Sequence, residues 1–457
     1  MKITKLISII TLFLSLNLKA QFGSPIIIDD SLSINQRNIV TFDVDNDGKM
    51  DIVLSSFFNN IVWYKNLGTG FGASQSITST FAAPYHLDFA DVNGDGFKDL
   101  VATNNASNNS GVSVFMNNNG GNSWSEIVLD SNLPNPAFKS FFVDIENDGD
   151  MDVISNLSTK IMMYKNNGMG VFTTPIQIEG ATEYYSMTVA DFNGNGFKDI
   201  IVNTGNFGVE IFTNNTLGTF NSPTTIFNNG ISFFLSSFDI DNDGDIDVLS
   251  GSPSTNQGVD FFSNELNAFN KVFTVSQINN FDVPLSQFHH SKINSDAFFD
   301  LLIVDNNNSK LYWKENNQMG EFGDSILIED SYLYKNVYSA DLDNDGDNDI
   351  IWLGINTTTH MFNLGYMDNE NSLSVENFNF ENGIKLFPNP ATNELAISFS
   401  EKVNCRLSIY DIMGNFIYEQ DLVDKVNDLD VAFLPQGIYL IKLNSEEYEV
   451  SSKFIKQ

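Results

Sequence analysis

Seven nine-residue segments hold the side chains best suited to chemistry in this chain. They read DVDNDGKMD from Asp43, DVNGDGFKD from Asp91, DIENDGDMD from Asp144, DFNGNGFKD from Asp191, DIDNDGDID from Asp239, KINSDAFFD from Lys292 and DLDNDGDND from Asp341. In most copies carboxylates or amides stand at positions 1, 3, 5 and 9, a main-chain carbonyl is available at position 7, and glycine at position 6 allows a sharp turn. Converging hard oxygen donors of this kind meet the needs of Ca²⁺. The expected ligands are Asp43, Asp45, Asp47, Lys49 and Asp51 in loop 1, and Asp91, Asn93, Asp95, Phe97 and Asp99 in loop 2. Loop 3 offers Asp144, Glu146, Asp148, Asp150 and Asp152; loop 4 offers Asp191, Asn193, Asn195, Phe197 and Asp199. Loop 5 offers Asp239, Asp241, Asp243, Asp245 and Asp247, and loop 7 offers Asp341, Asp343, Asp345, Asp347 and Asp349. The position-7 residue contributes only its carbonyl. Loop 4 has two carboxylates and should bind most weakly. Loop 6 is degenerate: Lys292 puts an ammonium at position 1 and Ala297 replaces the glycine, so it should stay empty, with Lys292 pairing with Asp296 or Asp300. Up to six sites are therefore expected. Asp, Asn and Gly also form metal-free turns, but one loop repeated seven times argues for a shared ligand. An EF-hand is excluded, because position 12 is never Glu and the flanks read as strands.

The elements that must hold these loops repeat with them. Loop starts are 48, 53, 47, 48, 53 and 49 residues apart. Position 2 is always apolar, which pins the loop to a core. Two aliphatic residues follow each final Asp, from Ile52-Val53 to Ile350-Ile351, as in strands buried on both faces. An aromatic strand ending in polar turn residues comes about ten residues later, as in Val62-Trp63-Tyr64-Lys65-Asn66, then a glycine-rich turn and a strand opening with an aromatic such as Phe71 or Phe322. No segment has a helical period. Four short strands per unit, seven times over, predict an all-β fold: a seven-bladed β-propeller. Phe22 to Ile28 matches the last strand type, and the seventh loop is followed by only two strands, so the N-terminal strand should complete the seventh blade.

The loops, with Phe-Gly opening some outer strands, resemble FG-GAP/VCBS-type repeats over roughly residues 22–365, in the looser VCBS-like form. The family includes the calcium-bearing propeller of integrin α-chains. The resemblance implies a calcium turn between the innermost strand and the next, and adhesion or glycan binding more often than catalysis.

The two ends carry other signals. Lys2 and Lys5 precede an apolar run from Leu6 to Leu16, too short to span a bilayer, and Ala20 sits at a cleavage position. Residues 1–20 therefore read as a secretory signal peptide, and Gln21 in place of Cys argues against a lipid anchor. Residues 21–365 are the expected propeller, 366–383 an Asn/Glu/Ser-rich linker and 384–457 a separate module. In the module, alternating runs at 395–399, 406–410, 416–419, 438–444 and 448–455 predict a small antiparallel β-sandwich. Leu386-Phe387-Pro388-Asn389-Pro390, Ile409-Tyr410-Asp411-Ile412-Met413-Gly414, Pro435-Gln436-Gly437-Ile438-Tyr439 and the end Lys453-Phe454-Ile455-Lys456-Gln457 closely resemble the C-terminal sorting domain (type A) of the type IX secretion system. That implies the type IX machinery as a partner and a secreted, extracellular or surface-attached destination.

Composition narrows the function. There are 58 Asp+Glu against 23 Lys+Arg, a formal charge of −35, which repels phosphate backbones and excludes nucleic acid as a partner. One cysteine, Cys405, rules out an intrachain disulfide. No later stretch reads as a transmembrane helix. The sequence has no G-x-S-x-G elbow, no H-E-x-x-H and no P-loop, and adjacent His289 and His290 face opposite sides of a strand. Variation is concentrated just before the loops. Arg37, Tyr85, His86, Lys139, Tyr185, Gln287 and Asn336 should surround the channel mouth opposite the calcium turns, where rings suit sugar stacking and Arg37 and Lys139 suit an anionic glycan. The leading expectation is a calcium-binding propeller that binds glycan or protein. The alternatives are a propeller polysaccharide lyase or hydrolase using His86 with Tyr85 or Tyr185, or a structural surface-layer component.

Overall fold

A computed structural model of the chain describes residues 22–32, 36–56, 60–105, 110–133, 136–178, 184–204, 208–227, 234–251, 259–264, 275–277, 287–294, 296–305, 308–316, 320, 322–369, 385–387, 391–399, 405–411, 415–444 and 449–456. The expected signal peptide lies outside them. Among the described residues every regular element is a strand. The chain divides into two compact units, Met1–Ser372 and Leu373–Gln457.

In the first unit one four-stranded antiparallel sheet recurs, and we number the sheets by their loops. The first strands are Gln36–Phe42, Pro84–Ala90, Ala137–Val143, Ser186–Ala190, Phe234–Phe238, Gln287–Ser291 and Tyr332–Ala340. Each runs into its acidic loop and returns as the second strand: Asp51–Ser56, Asp99–Asn104, Asp152–Leu157, Asp199–Asn203, Asp247–Gly251, Asp300–Asp305 and Asp349–Asn356. The third strands are Asn60–Tyr64, Ser110–Asn117, Lys160–Tyr164, Val209–Phe212, Val259–Phe262, Lys310–Lys314 and Phe362–Met367. The fourth strands of sheets 1 to 6 follow in order, and the fourth strand of sheet 7 is Ile26–Leu32, paired antiparallel with Phe362–Met367.

The aliphatic pair after each loop shows how the sheets pack. Successive strand residues point to opposite faces. Ile52 joins a core with Leu342, Ile351 and Leu364 of sheet 7, while Val53 joins one with Leu87, Leu100 and Phe115 of sheet 2. The same split recurs at Leu100 and Val101, Val153 and Ile154, and Leu301 and Leu302. Each sheet is thus apolar on both faces, and the core consists of layers between neighbouring sheets. Every buried Ile, Leu or Val contributes roughly 1.5–3 kcal/mol.

The linker begins later than the sequence suggests. The third strand of sheet 7 continues to Met367, and Asn369 forms a bridge with Phe22. The polar composition beyond Gly365 masks this, because Asn369 is held by hydrogen bonds and not by apolar burial. In the second unit, strands Lys385–Phe387, Glu394–Ser398 and Val426–Asp430 form one sheet, and Cys405–Asp411, Phe416–Leu422, Gly437–Asn444 and Glu449–Lys456 form another. Leu395, Leu429, Leu407, Ile409, Ile441 and Phe454 from both share one core.

Candidate functional site

Each loop is built by its own acidic side chains. In loop 1 the Asp43 carboxylate accepts from the backbone N–H of Asp47 at 3.0 Å and of Gly48 at 2.7 Å, and Asp47 accepts from Lys49 N–H at 3.1 Å. Loops 3, 5 and 7 repeat this set with Asp144, Asp239 and Asp341. In loops 2 and 4 Asp91 and Asp191 take the same part, and Asp95 and Asn195 accept from Phe97 and Phe197. Position 4 is left-handed, with φ of 58° at Asn46, 55° at Asn147, 60° at Asn242 and 62° at Asn344, so Asn or Gly is required there as well as at position 6. A Cβ at Gly48, Gly96 or Gly244 would meet nothing within 4 Å; their φ of 87°, 90° and 99° is what selects glycine.

The final Asp is fully buried in every loop. One oxygen of Asp51 accepts from Val44 N–H at 2.9 Å and the other from Asn66 N–H at 2.7 Å. Burial outweighs these bonds and lifts the carboxyls of Asp51, Asp99 and Asp199 to about 6 and those of Asp152, Asp247, Asp300 and Asp349 to about 7. Oxygens of Asp43, Asp45 and Asp51 lie within 4.8 Å of one another, as do those of Asp239, Asp241 and Asp247, and of Asp341, Asp343 and Asp349. Oδ1 of Asp45 and Oδ1 of Asp241 are buried without a hydrogen-bond donor. Carboxylate oxygens left like this at a convergence point fit a hard cation. In loop 3 the longer Glu146 turns to Lys165 and to Asp152.

Loop 6 differs from expectation. Lys292 is exposed, and its ammonium lies 5.1 Å from the Phe299 ring centroid; among the described residues it makes no ion pair with Asp296 or Asp300. Asp296 instead accepts from Phe298 N–H at 2.9 Å, holding the turn.

An asparagine at the end of each third strand locks the loops to one another. Asn66 Nδ2 donates to Leu342 O at 2.7 Å, across to loop 7. Asn117, Asn166, Asn214, Asn264, Asn316 and Asn369 donate likewise to Val44, Val92, Ile145, Phe192, Ile240 and Ile293, the position-2 residue of the preceding loop, at 2.7–2.9 Å. From sequence alone Asn66 reads as a turn residue. The signal was the constant place of this asparagine in every repeat.

The first strands line one cavity of about 930 Å³. Of the residues expected there, Tyr85, His86, Lys139, Tyr185 and Asn336 face it. Arg37 and Gln287 lie on first strands, but their side chains are outside the described residues. Lys139 is walled in: its ammonium donates to Met187 O at 3.2 Å and Leu235 O at 3.4 Å, carbonyls of two other first strands. Desolvation lowers its pKa to about 8. Desolvation, then the charge of Lys139, lowers His86 to about 3. The sequence reading missed the next inward positions along the same strands, where Asp88, Thr188, Ser236, His289 and Tyr338 also line the cavity. Asp88, His289 and Tyr338 stand two residues after His86, Gln287 and Asn336, a spacing that the period of two along a strand reveals. Asp88 accepts from Phe142 N–H at 2.8 Å, and burial raises it to about 6. His289 and His290 point to opposite neighbours, to Ser339 Oγ at 3.1 Å and Ser236 Oγ at 2.9 Å, yet both reach the cavity. Burial lowers them to about 3 and about 4.

Comparison with protein families matches the FG-GAP-like repeat at residues 43–102, 91–155, 144–202 and 292–352, and the secretion system C-terminal sorting domain at 385–457. Among solved structures, a lectin of Agrocybe aegerita that recognises non-reducing terminal N-acetylglucosamine is similar, at 19% identity over 65% of this chain and 81% of that one, with a TM-score of 0.50. BBS1N, solved in complex with ARL6DN, is similar at 10% identity over 76% of this chain and 96% of that one, with a TM-score of 0.52. These likenesses concern the fold alone. Comparison with curated proteins finds no match. Among the described residues no helix is long and apolar enough to cross a membrane. The chain is a secreted or cell-surface FG-GAP-like repeat protein that ends in a type IX sorting domain.

Proposed function

We propose that the protein is a calcium-loaded, seven-bladed propeller that binds an extracellular anionic glycan through the cavity of its first strands. Seven sheets, with sheet 7 sharing a core and an asparagine bond with sheet 1, support the closed ring. Two sheets around one core support a β-sandwich for the sorting module over 384–457. The leader at 1–20 is proposed as a signal peptide on its sequence pattern.

Calcium in loops 1, 5 and 7 is supported by their converged carboxylates, and in loops 2, 3 and 4 by the same loop architecture. The ion would neutralise crowded carboxylates and favour the charged form of the buried position-9 Asp.

One observation carries the binding reading. In a chain with 58 acidic residues, the cavity sets two lysines, Lys139 and Lys335, beside the neutral imidazoles of His86, His289 and His290 and against one carboxylate, Asp88. Tyr85 and Tyr185 add half-buried rings suited to sugar faces. The lectin shows that a similar scaffold can host a sugar site. An array of carboxylated, sulfated and neutral glycans is the test. Binding should favour the anionic ones and vanish when Tyr85, His86 and Lys139 are all changed to Ala, with calcium-dependent melting unchanged. Binding that survives the triple change would overturn the assignment.

A further inference from the structure

The residue before each locking asparagine differs in charge from sheet to sheet. It is Lys65 in sheet 1, Met116 in 2, Lys165 in 3, Thr213 in 4, Ser263 in 5, Glu315 in 6 and Asp368 in 7. Lys65 Nζ pairs with Asp45 and, at 2.9 Å, with Asp47. Lys165 Nζ pairs with Glu146 in the same way. Glu315 Oε1 accepts from Asn294 Nδ2, at position 3 of loop 6, at 3.3 Å. Asp368 adjoins loop 7, since the N–H of the next residue, Asn369, donates to Asp349 Oδ1 at 2.8 Å. In sheets 1, 3 and 6 this residue thus touches position 3 of its loop, with a different charge in sheet 6.

We propose that this flanking residue sets the calcium affinity of each loop, with Lys65 and Lys165 acting as built-in counter-ions that compete with calcium and Asp368 acting as an added negative charge that strengthens loop 7. The inference rests on the calcium reading of the loops. An ammonium already paired with a ligand carboxylate must be displaced, or share that carboxylate, when the ion enters. Loop affinity for calcium follows ligand charge count. The loops then form a graded set, with loop 7 filling first and loops 1 and 3 behind loop 5, although loop 1 has the same four carboxylates as loop 5. The lysines also have a second role. With calcium absent each offsets one of the four ligand carboxylates of its loop, so loops 1 and 3 should be less strained than loops 5 and 7.

The test is calorimetric calcium titration of the purified protein, with melting in chelator as a second readout. Lys65→Met keeps the stem and removes the charge; it should tighten one site by about tenfold or more and lower the melting temperature in chelator. Lys65→Arg keeps the charge and should behave as the unmodified protein in both measurements. Asp368→Asn should weaken the tightest site by about tenfold. If the unmodified protein binds calcium and Lys65→Met leaves both its isotherm and its chelated melting unchanged, the inference is overturned and the calcium reading survives. If the unmodified protein takes up no calcium, the calcium reading falls and the inference with it.

Discussion

The two ends of the first strands are built on opposite principles. At one end six of the seven loops repeat one acidic pattern, held by its own hydrogen bonds and by an asparagine from a neighbouring sheet. At the other, within the cavity, the seven strands present seven different residues at one level: Val40, Asp88, Phe141, Thr188, Ser236, His289 and Tyr338. The uniform end can bind only something that is needed many times over. The varied end can distinguish one ligand from another. Stability should therefore depend on the first and recognition on the second.

The strongest way to break this contrast is to remove calcium. A loop held at a hundredfold excess over its dissociation constant adds about 2.7 kcal/mol, so chelation across several loops should lower the melting temperature by about 10 °C or more. An unchanged melting temperature would show that the loops are only turns.

The pH dependence without calcium comes next. The seven position-9 carboxyls titrate at about 6 to 7 in the folded protein, above the ordinary aspartate value of roughly 3.9. Their protons are held more tightly in the folded state, so stability should rise as pH falls from about 8 to about 5. His86, His289 and His290, kept neutral by burial, oppose this below about pH 6.5 but are outnumbered. Calcium should flatten or reverse the trend, because it favours the ionised carboxylates. Thermal melts in chelator and in calcium across that range decide it, and stability that climbs with pH in chelator would contradict the assignment of these groups.

A smaller effect should follow from Asn117→Ala. It strips a donor from Val44 O and Lys98 O and an acceptor from Gly121 N–H, for a cost of about 2 kcal/mol in denaturant unfolding. A loss below about 0.5 kcal/mol would mean that the apolar layers alone hold the sheets together.

The least effect on stability is expected from Lys139→Met in the cavity. A desolvated ammonium is replaced by an apolar side chain of similar length, so stability should change by less than about 1 kcal/mol. Anionic ligand binding should nevertheless fall sharply. Loss of folding with this change would show that the cavity is structural.

Much of this architecture was legible because it repeats. The aliphatic pair after each loop needed both faces covered, and the structure assigns Ile52 to one neighbour and Val53 to the other. The strand Val426–Asp430 was not legible, because Leu429 is its one deeply buried apolar residue. In the candidate site, the loop positions could be read from composition alone. The partners of Lys65, Lys139 and Asn66 could not, since each reaches an atom outside its own segment of chain. Lys292 was misplaced for a related reason: an aromatic ring three-dimensionally close by, Phe299, holds its ammonium in place of a carboxylate.

Sheet 7 also has a mechanical meaning. Its third strand, Phe362–Met367, is among the described residues the last strand before the sorting module and has a partner on each side: Asp349–Asn356 and Ile26–Leu32. Just beyond it, Asn369 is held by Asp349, Asn348 and Ile293. Tension applied to the chain beyond Asn369 would meet this cluster before a strand zipped along both edges. Peeling that strand away means parting two ladders at once, so the point of attachment is guarded by the strand from the opposite end of the chain.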